Sequence, residues 1–196
     1  MAIPPVISPW RVDLDRYHEL IEQGWFREED RVELIEGVLT QMSPKGARHE
    51  RAISLLVRQL VRDLDPAFEL RVQSALTLAP SGSEPEPDLA LVPPEAREPY
   101  HPATAALVIE VAHSSLAYDR LTKLRIFAAA MIPEYWIVNL VDSVAEVHRD
   151  PDGKTYGNRW TVSSGVLSPL AVPAVQVDLD SLFAGVAATP ATREGE

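Results

Sequence analysis

The chain has 196 residues, of which 46% are hydrophobic and 24% are charged. This length and composition are typical of one folded domain and exclude a disordered, collagen-like or coiled-coil protein. The absence of cysteine excludes disulfides, iron–sulfur clusters, thiolate zinc sites and cysteine nucleophiles. A net charge of −11 argues against a broad nucleic-acid-binding surface but allows a local basic groove. No secretion signal or apolar run of ~18 residues is present, so we expect a cytoplasmic protein without a membrane span.

The N-terminal third of the chain predicts a helix followed by a hairpin. Both chain ends, 1–9 and 184–196, lack apolar periodicity and are expected to be flexible tails around one domain over 10–183. Asp13 is the expected N-cap of a helix that ends near Gly24. Apolar and polar residues then alternate over 31–42 around a Glu-Gly pair, which predicts a β-hairpin.

The middle of the chain changes from helical to strand periodicity. Apolar residues recur three and four apart over 49–64, which predicts an amphipathic helix. Alternation over 68–79 predicts a strand, and the Pro-Ser-Gly-Ser sequence after it predicts a turn. A second strand is expected over 88–92.

The segment from 105 onward predicts a parallel strand pair. The run 105–112 is almost wholly apolar, as in a central strand covered on both faces. A helix over 119–131, capped by Asp119, and a strand over 134–140 complete a β-α-β unit. Strands are also expected after Val144. The predicted fold class is α/β or α+β, with a mixed β-sheet flanked by helices and an N-terminal helix and hairpin extension.

Glu110 is the most informative single residue, because it interrupts the apolar run of the central strand. A carboxylate in a core strand costs several kcal/mol unless it is paired, protonated or bound to a metal. The plainest interpretation is an ion pair with an arginine. Asp88 opens the preceding strand after two prolines, and by itself it is typical of a turn. Two carboxylates on adjacent strands, however, are what a hard cation such as Mg²⁺ requires.

Lys123 stands one turn into the helix that follows the Glu110 strand. Side chains of a helix lean toward its N-terminus, so Lys123 is placed to point back to Glu110. Pairing with Asp119, four residues earlier, or simple surface exposure are the alternatives. Beside a metal, a lysine can orient a water or stabilise developing negative charge.

Several motifs in this order resemble a known family. They are E-P-D-L-A-L and V-I-E-V, then S-S-L-A-Y-D-R-x-x-K and I-P-E-Y-W-I-V-N, preceded by R-V-E-L-I-E-G-V-L-T-Q-M-S-P and His49. As a set they are similar to the Uma-type endonucleases, a bacterial branch of the PD-(D/E)XK restriction-endonuclease-like superfamily. The resemblance covers about 17–149 and is specific as an ordered set.

The resemblance implies a restriction-endonuclease-like fold with Asp88 and Glu110 as the acids that bind Mg²⁺ or Mn²⁺. It also implies the backbone carbonyl of Val111 as a further oxygen ligand. The superfamily usually has a lysine two residues after the second acid, and this chain has Ala112 there. The branch uses a lysine from the following helix instead, and Lys123 matches that position.

The resemblance leaves a third acidic position open between Glu33 in the hairpin and Glu50 beside His49. His49 is either an ordinary helix-end histidine or a group that acts as a general base or positions water. The role of His113, directly after the Glu110 strand, stays open. Exposed arginines at 48, 51, 58 and 62 either contact phosphates or form a solvated helix face. Two aromatic residues, Tyr135 and Trp136, are expected in the core.

The sequence therefore predicts a metal-dependent endonuclease acting on DNA, with Asp88, Glu110, Lys123 and Glu33 as catalytic residues. One alternative is a catalytically inactive nuclease-fold module that acts through protein contacts. Another is a metal-dependent hydrolase of small phosphorylated or carboxylated molecules. Strands after Val144 could pair with a second copy in a homodimer. A nuclease should gather several of the fifteen arginines around the cleft, whereas a bare or acidic rim favours the alternatives.

Overall fold

The computed structural model describes residues 9–94 and 101–188. Its N-terminal part is helix α1, Leu14–Glu22, followed by a hairpin of β1, Val32–Ile35, and β2, Val38–Gln41. The Asp13 side chain caps α1 by accepting from the backbone N–H of Arg16 at 2.8 Å. Both turn residues of the hairpin, Glu36 and Gly37, have positive φ. The predicted helix and hairpin are confirmed.

Six further strands form a single mixed sheet. They are β3, Glu69–Val72; β4, Leu89–Val92; β5, Leu107–Ala112; β6, Glu134–Asn139; β7, Val144–Pro151; and β8, Tyr156–Val162. Their order in the sheet is β3-β4-β5-β6-β7-β8. Strands β5 and β6 run parallel, and every other neighbouring pair is antiparallel. The predicted β-α-β unit and mixed sheet are confirmed.

The sheet separates two hydrophobic cores, because alternate residues of a strand point to opposite faces. On β5, Leu107, Ile109 and Val111 face a core that includes the helix α2, Ala47–Leu60. Val108 and Ala112 face the other core. Glu110 lies between them in sequence and therefore on that second face. Trp136 and Tyr135 are 1% and 0% exposed and belong to the two cores, as predicted.

Two predicted elements end earlier than expected. Helix α2 begins two residues before His49 and ends at Leu60, with Val61 as its C-cap, although the apolar spacing continues to Leu64. The strand predicted over 68–79 ends at Val72, because Gln73 has a φ of 48° and leaves the strand. Its backbone N–H donates instead to the carbonyl of Asp88 at 3.0 Å.

The helix after β5, here α3, starts earlier than predicted and contains a π-helical segment. It consists of the α-helical turn Leu116–Tyr118, the π-helical segment Asp119–Lys123 and the α-helix Leu124–Ala129. Asp119 is therefore inside the helix and does not cap it. The wider π turn places Asp119 and Lys123 in the interior. The sequence pattern places Leu121 on the apolar face of this helix with Leu124 and Ala128. Leu121 is instead 69% exposed, because a constant 3.6-residue period does not hold here.

The C-terminal part adds a short strand pair and a fourth helix. Strands β9, Val166–Leu167, and β10, Val177–Asp178, pair antiparallel, and α4, Leu179–Ala187, packs on α2. Helix α4 continues past 183 because its buried apolar residues extend to Val186. The expected tail segments 1–8 and 189–196 lie outside the described residues. In the described part of the chain, no helix is long and apolar enough to cross a membrane.

Candidate active site

Asp88 is held at the start of β4 by groups from two other elements. Its Oδ2 atom accepts from the backbone N–H of Val111 at 2.9 Å and lies 3.0 Å from Nε2 of His49. Burial acts to raise the pKa of Asp88, but the hydrogen bonds from His49 and Val111 outweigh it and hold the pKa below its ordinary value. Asp88 is therefore an ionised carboxylate with a fixed orientation.

Glu110 lies on the neighbouring strand β5, and its side chain is 8% exposed. The Oε2 atom accepts from the backbone N–H of Asp88 at 3.3 Å. The Oε1 atom lies 3.2 Å from Nζ of Lys123, yet it is buried and accepts no hydrogen bond from the residues that the structure describes. Burial raises the pKa of Glu110 well above its ordinary value, and only the charge of Lys123 opposes this strongly. Glu110 thus depends on a nearby cation to remain ionised.

Lys123 reaches this site from the π-helical segment of α3 and joins it to the hairpin. Its Nζ atom lies 2.8 Å from Oε2 of Glu33 on β1, and both side chains are about 5% exposed or less. Burial acts to lower the pKa of Lys123, but Glu110 and Glu33 raise it above its ordinary value. Tyr118 donates its hydroxyl to Oε1 of Glu33 at 3.2 Å. Lys123 is therefore a permanently charged group held between two carboxylates.

Asp119 is a further buried acid, in the same π-helical segment as Lys123. Burial raises its pKa to about 6, although a hydrogen bond from the Ser115 hydroxyl at 2.7 Å favours the ionised form. On the opposite side, Nε2 of His49 contacts Asp88, while Nδ1 is buried without a hydrogen-bond partner in the described ranges. The site thus contains groups that can both donate and accept protons.

These residues lie at the floor and walls of one cleft of about 990 Å³. One wall is the segment from Thr40 in β2 to His49 in α2, and the other is the segment 113–119. The acids that line it are Glu33, Glu86, Asp88, Glu110 and Asp119. Among the described residues that line the cleft, Arg48 is the only arginine. The predicted gathering of several arginines around the acids is therefore absent from the described part of the cleft.

The structure brings together the four residues proposed from sequence, Asp88, Glu110, Lys123 and Glu33. Lys123 points back to Glu110, as predicted, and its ion pairs are with Glu110 and Glu33, not with Asp119. Of the two candidates for the third acid, Glu33 is in the cluster, whereas Glu50 is exposed on α2.

Several other residues line the cleft or contact its acids, and the sequence gives little indication of them. His113 is exposed on the cleft wall. Tyr118 was not identified because nothing in its local pattern links it to Glu33, which lies 85 positions away. Lys45 and Glu86 also line the cleft. The contact of Tyr118 with Glu33 forms only where the hairpin packs beside α3.

The residues that could hold a divalent cation are Asp88 and Glu110, with the carbonyl of Val111 implied by the resemblance. Within the described ranges, no group of three or more histidine or carboxylate side chains is arranged to hold a metal ion. Two carboxylates are still a workable set for Mg²⁺, because this ion usually keeps several waters as ligands.

Comparison with known proteins identifies a similar fold and the family of the chain. No curated protein matches the chain. The fold is similar to the crystal structure of a putative nuclease belonging to DUF820 from Anabaena variabilis, with a TM-score of 0.71 and 14% sequence identity. That match covers 89% of this chain and 99% of the other, and at this identity it shows the fold alone. The family model for Uma2, described as putative restriction endonuclease, matches residues 14–180. The chain therefore belongs to the Uma2 family.

Proposed function

We propose that the protein is a divalent-metal-dependent endonuclease that hydrolyses phosphodiester bonds of DNA. The observation that supports this most is the arrangement of Asp88 and Glu110. They lie on adjacent strands at the floor of an open cleft, and Glu110 is paired with the buried Lys123. Membership of the Uma2 family agrees with a nuclease.

The chemistry of the two acids fits a hard divalent cation. Oε1 of Glu110 is a buried oxygen that accepts no hydrogen bond from the described residues, and burial raises the pKa of this carboxyl. The ammonium of Lys123 lies 3.2 Å from this oxygen, and a divalent cation would compensate further for the lost hydration. Mg²⁺ or Mn²⁺ held by Asp88 and Glu110 would lower the pKa of water and neutralise charge on the phosphodiester.

Lys123 acts as a proton-bearing cation in this proposal and not as a base. Its pKa is raised above the ordinary value, so a neutral amine is not populated near pH 7. The ammonium is held by Glu33 and Glu110, which direct it toward the cleft. Its function is to orient the attacking water or to stabilise negative charge that develops on the phosphate. Glu33 is a positioning residue for Lys123.

One observation favours the alternative of a catalytically inactive module. Five carboxylates line the described part of the cleft with one arginine and two lysines, and this excess of acidic groups repels a polyanion. The two candidates differ in one measurable property, which is metal-dependent cleavage by the purified protein.

The test is cleavage of supercoiled, linear duplex and single-stranded DNA by the full chain at low salt, with Mg²⁺ or Mn²⁺ and with EDTA. The variants are Asp88→Asn and Glu110→Gln, which keep the side-chain shape. Glu50→Gln is the matched control, because Glu50 is an exposed acid outside the cluster. Circular dichroism and urea unfolding verify that each variant is folded.

We expect cleavage with a divalent cation, loss of at least about 100-fold in both site variants and no change in Glu50→Gln. The cation should also raise the unfolding midpoint of the wild type and not that of Asp88→Asn. Cleavage that survives both site substitutions, or no cleavage with any metal, would refute the nuclease assignment and favour the inactive module.

A further inference from the structure

Lys45 is a cation in the cleft for which the described part of the chain provides no ion-pair partner. The chain has three lysines: Lys45, Lys123 and Lys154. Lys123 is paired with two acids, and Lys154 is exposed in the turn between β7 and β8. Lys45 lies in the loop between β2 and α2, is half-buried and lines the cleft. Its ammonium makes no ion pair or hydrogen bond with the part of the chain that the structure describes.

The surroundings of Lys45 explain why an anionic ligand would bind there. Burial lowers the pKa of Lys45, and the charge of Arg31 lowers it further. The charges of Asp88, Glu86 and Glu110 oppose this shift. The ammonium has therefore lost part of its hydration, and its N–H donors have no acceptor among the described residues.

The position of Lys45 matches the path that a nucleic-acid strand must take. Asp88 and Glu110 are 7% and 6% exposed, so a phosphodiester has to enter the cleft to reach them. A single strand can do this without a base-paired partner. The acids repel its other phosphates, and Lys45 and the exposed Arg48 are the cations without an ion pair among the described residues that line the cleft.

We propose that Lys45 binds a backbone phosphate of the nucleic-acid strand in the cleft, next to the phosphodiester that is cleaved. This assignment rests on the nuclease function proposed above. Lys45 is thus a substrate-binding residue, distinct from Lys123, whose ammonium is already occupied by Glu33 and Glu110.

The test is the salt dependence of binding to a fluorescent single-stranded thymidylate 12-mer, measured by anisotropy in EDTA so that no cleavage occurs. The proteins are the full-length wild type, Lys45→Ala, Lys45→Arg and the matched control Lys154→Ala. We expect Lys45→Ala to weaken binding about tenfold. The magnitude of the slope of log Kd against log salt concentration should decrease by about 0.7, as for one lost phosphate contact to a single strand. Lys45→Arg should retain the slope, and Lys154→Ala should behave as the wild type.

Steady-state cleavage of the same oligonucleotide separates this inference from the proposed function. We expect Lys45→Ala to raise KM more than it lowers kcat. If the wild type binds and cleaves but Lys45→Ala matches it in Kd and slope, the assignment of Lys45 is wrong and the nuclease function stands. An equal loss in Lys45→Ala and Lys45→Arg would also overturn it, because the loop shape and not the charge would then matter. A wild type that neither binds nor cleaves overturns both.

Discussion

Replacing Lys123 by methionine tests whether this lysine compensates the charge of the buried acids. Methionine has a similar length and no charge, so Glu33 and Glu110 lose their common cation while the packing changes little. Removing one partner of a buried ion pair costs about 3–5 kcal/mol, because the remaining charge stays in the interior. Both acids and the lysine are less than a tenth exposed, so solvent screening does not reduce this cost.

Urea unfolding in EDTA measures the effect without any contribution from a metal. With a slope of about 2 kcal/mol per molar urea, a loss of 3 kcal/mol lowers the midpoint by about 1.5 M. The matched control is Lys154→Met, which removes an exposed lysine and should change stability by less than about 0.5 kcal/mol. The double variant Lys123→Met with Glu33→Gln should recover at least about 1 kcal/mol, because it removes one of the two unpaired carboxylates.

A midpoint for Lys123→Met within about 0.3 M of the wild type would refute this reasoning. It would mean that the acids are stabilised by protonation or by water without the lysine. A double variant less stable than Lys123→Met would contradict the assigned pairing with Glu33.

Three smaller predictions follow from other parts of the fold. Burial lowers the pKa of His148 below 6.5. The unfolded state therefore binds a proton at a higher pH than the folded state, so the free energy of unfolding falls as the pH drops below about 6.5. His148→Gln should flatten the pH profile of urea unfolding between pH 7 and 5, and an unchanged slope would contradict this. Gly37→Ala should destabilise by about 1–3 kcal/mol in the same assay, because φ is +77° and a Cβ would lie 3.0 Å from a backbone oxygen. Gly153→Ala has a positive φ but no nearby atoms, and should cost less; equal costs would refute the steric argument. Arg120→Ala should cost only about 0.5–1 kcal/mol by urea unfolding, because its side chain is 45% exposed, and a loss above 2 kcal/mol would contradict this.

Local periodicity was sufficient to predict most of the secondary structure. The strand pair β5 and β6 was recognisable from an unbroken apolar run, because a strand covered on both faces needs apolar residues at every position. Asp88 and Glu110 were identifiable because each departs from an apolar strand pattern, and Lys123 because helical side chains lean in a known direction. These signals arise from neighbouring residues and are present in the chain before it folds.

The tertiary structure decided which other groups join those residues. Lys123 meets Glu33 across 90 positions and Tyr118 meets Glu33 across 85, and both contacts depend on how the hairpin packs on α3. The π-helical segment that places Asp119 and Lys123 in the interior is also not visible as a 3.6-residue period. The position of Glu33 in the cluster, and the lack of an ion pair for Lys45 among the described residues, have the same origin. A contact between distant segments forms only when the intervening chain is folded, because closing a long loop costs entropy. Such a contact does not depend on the spacing of neighbouring residues, so no periodic pattern in the sequence predicts it.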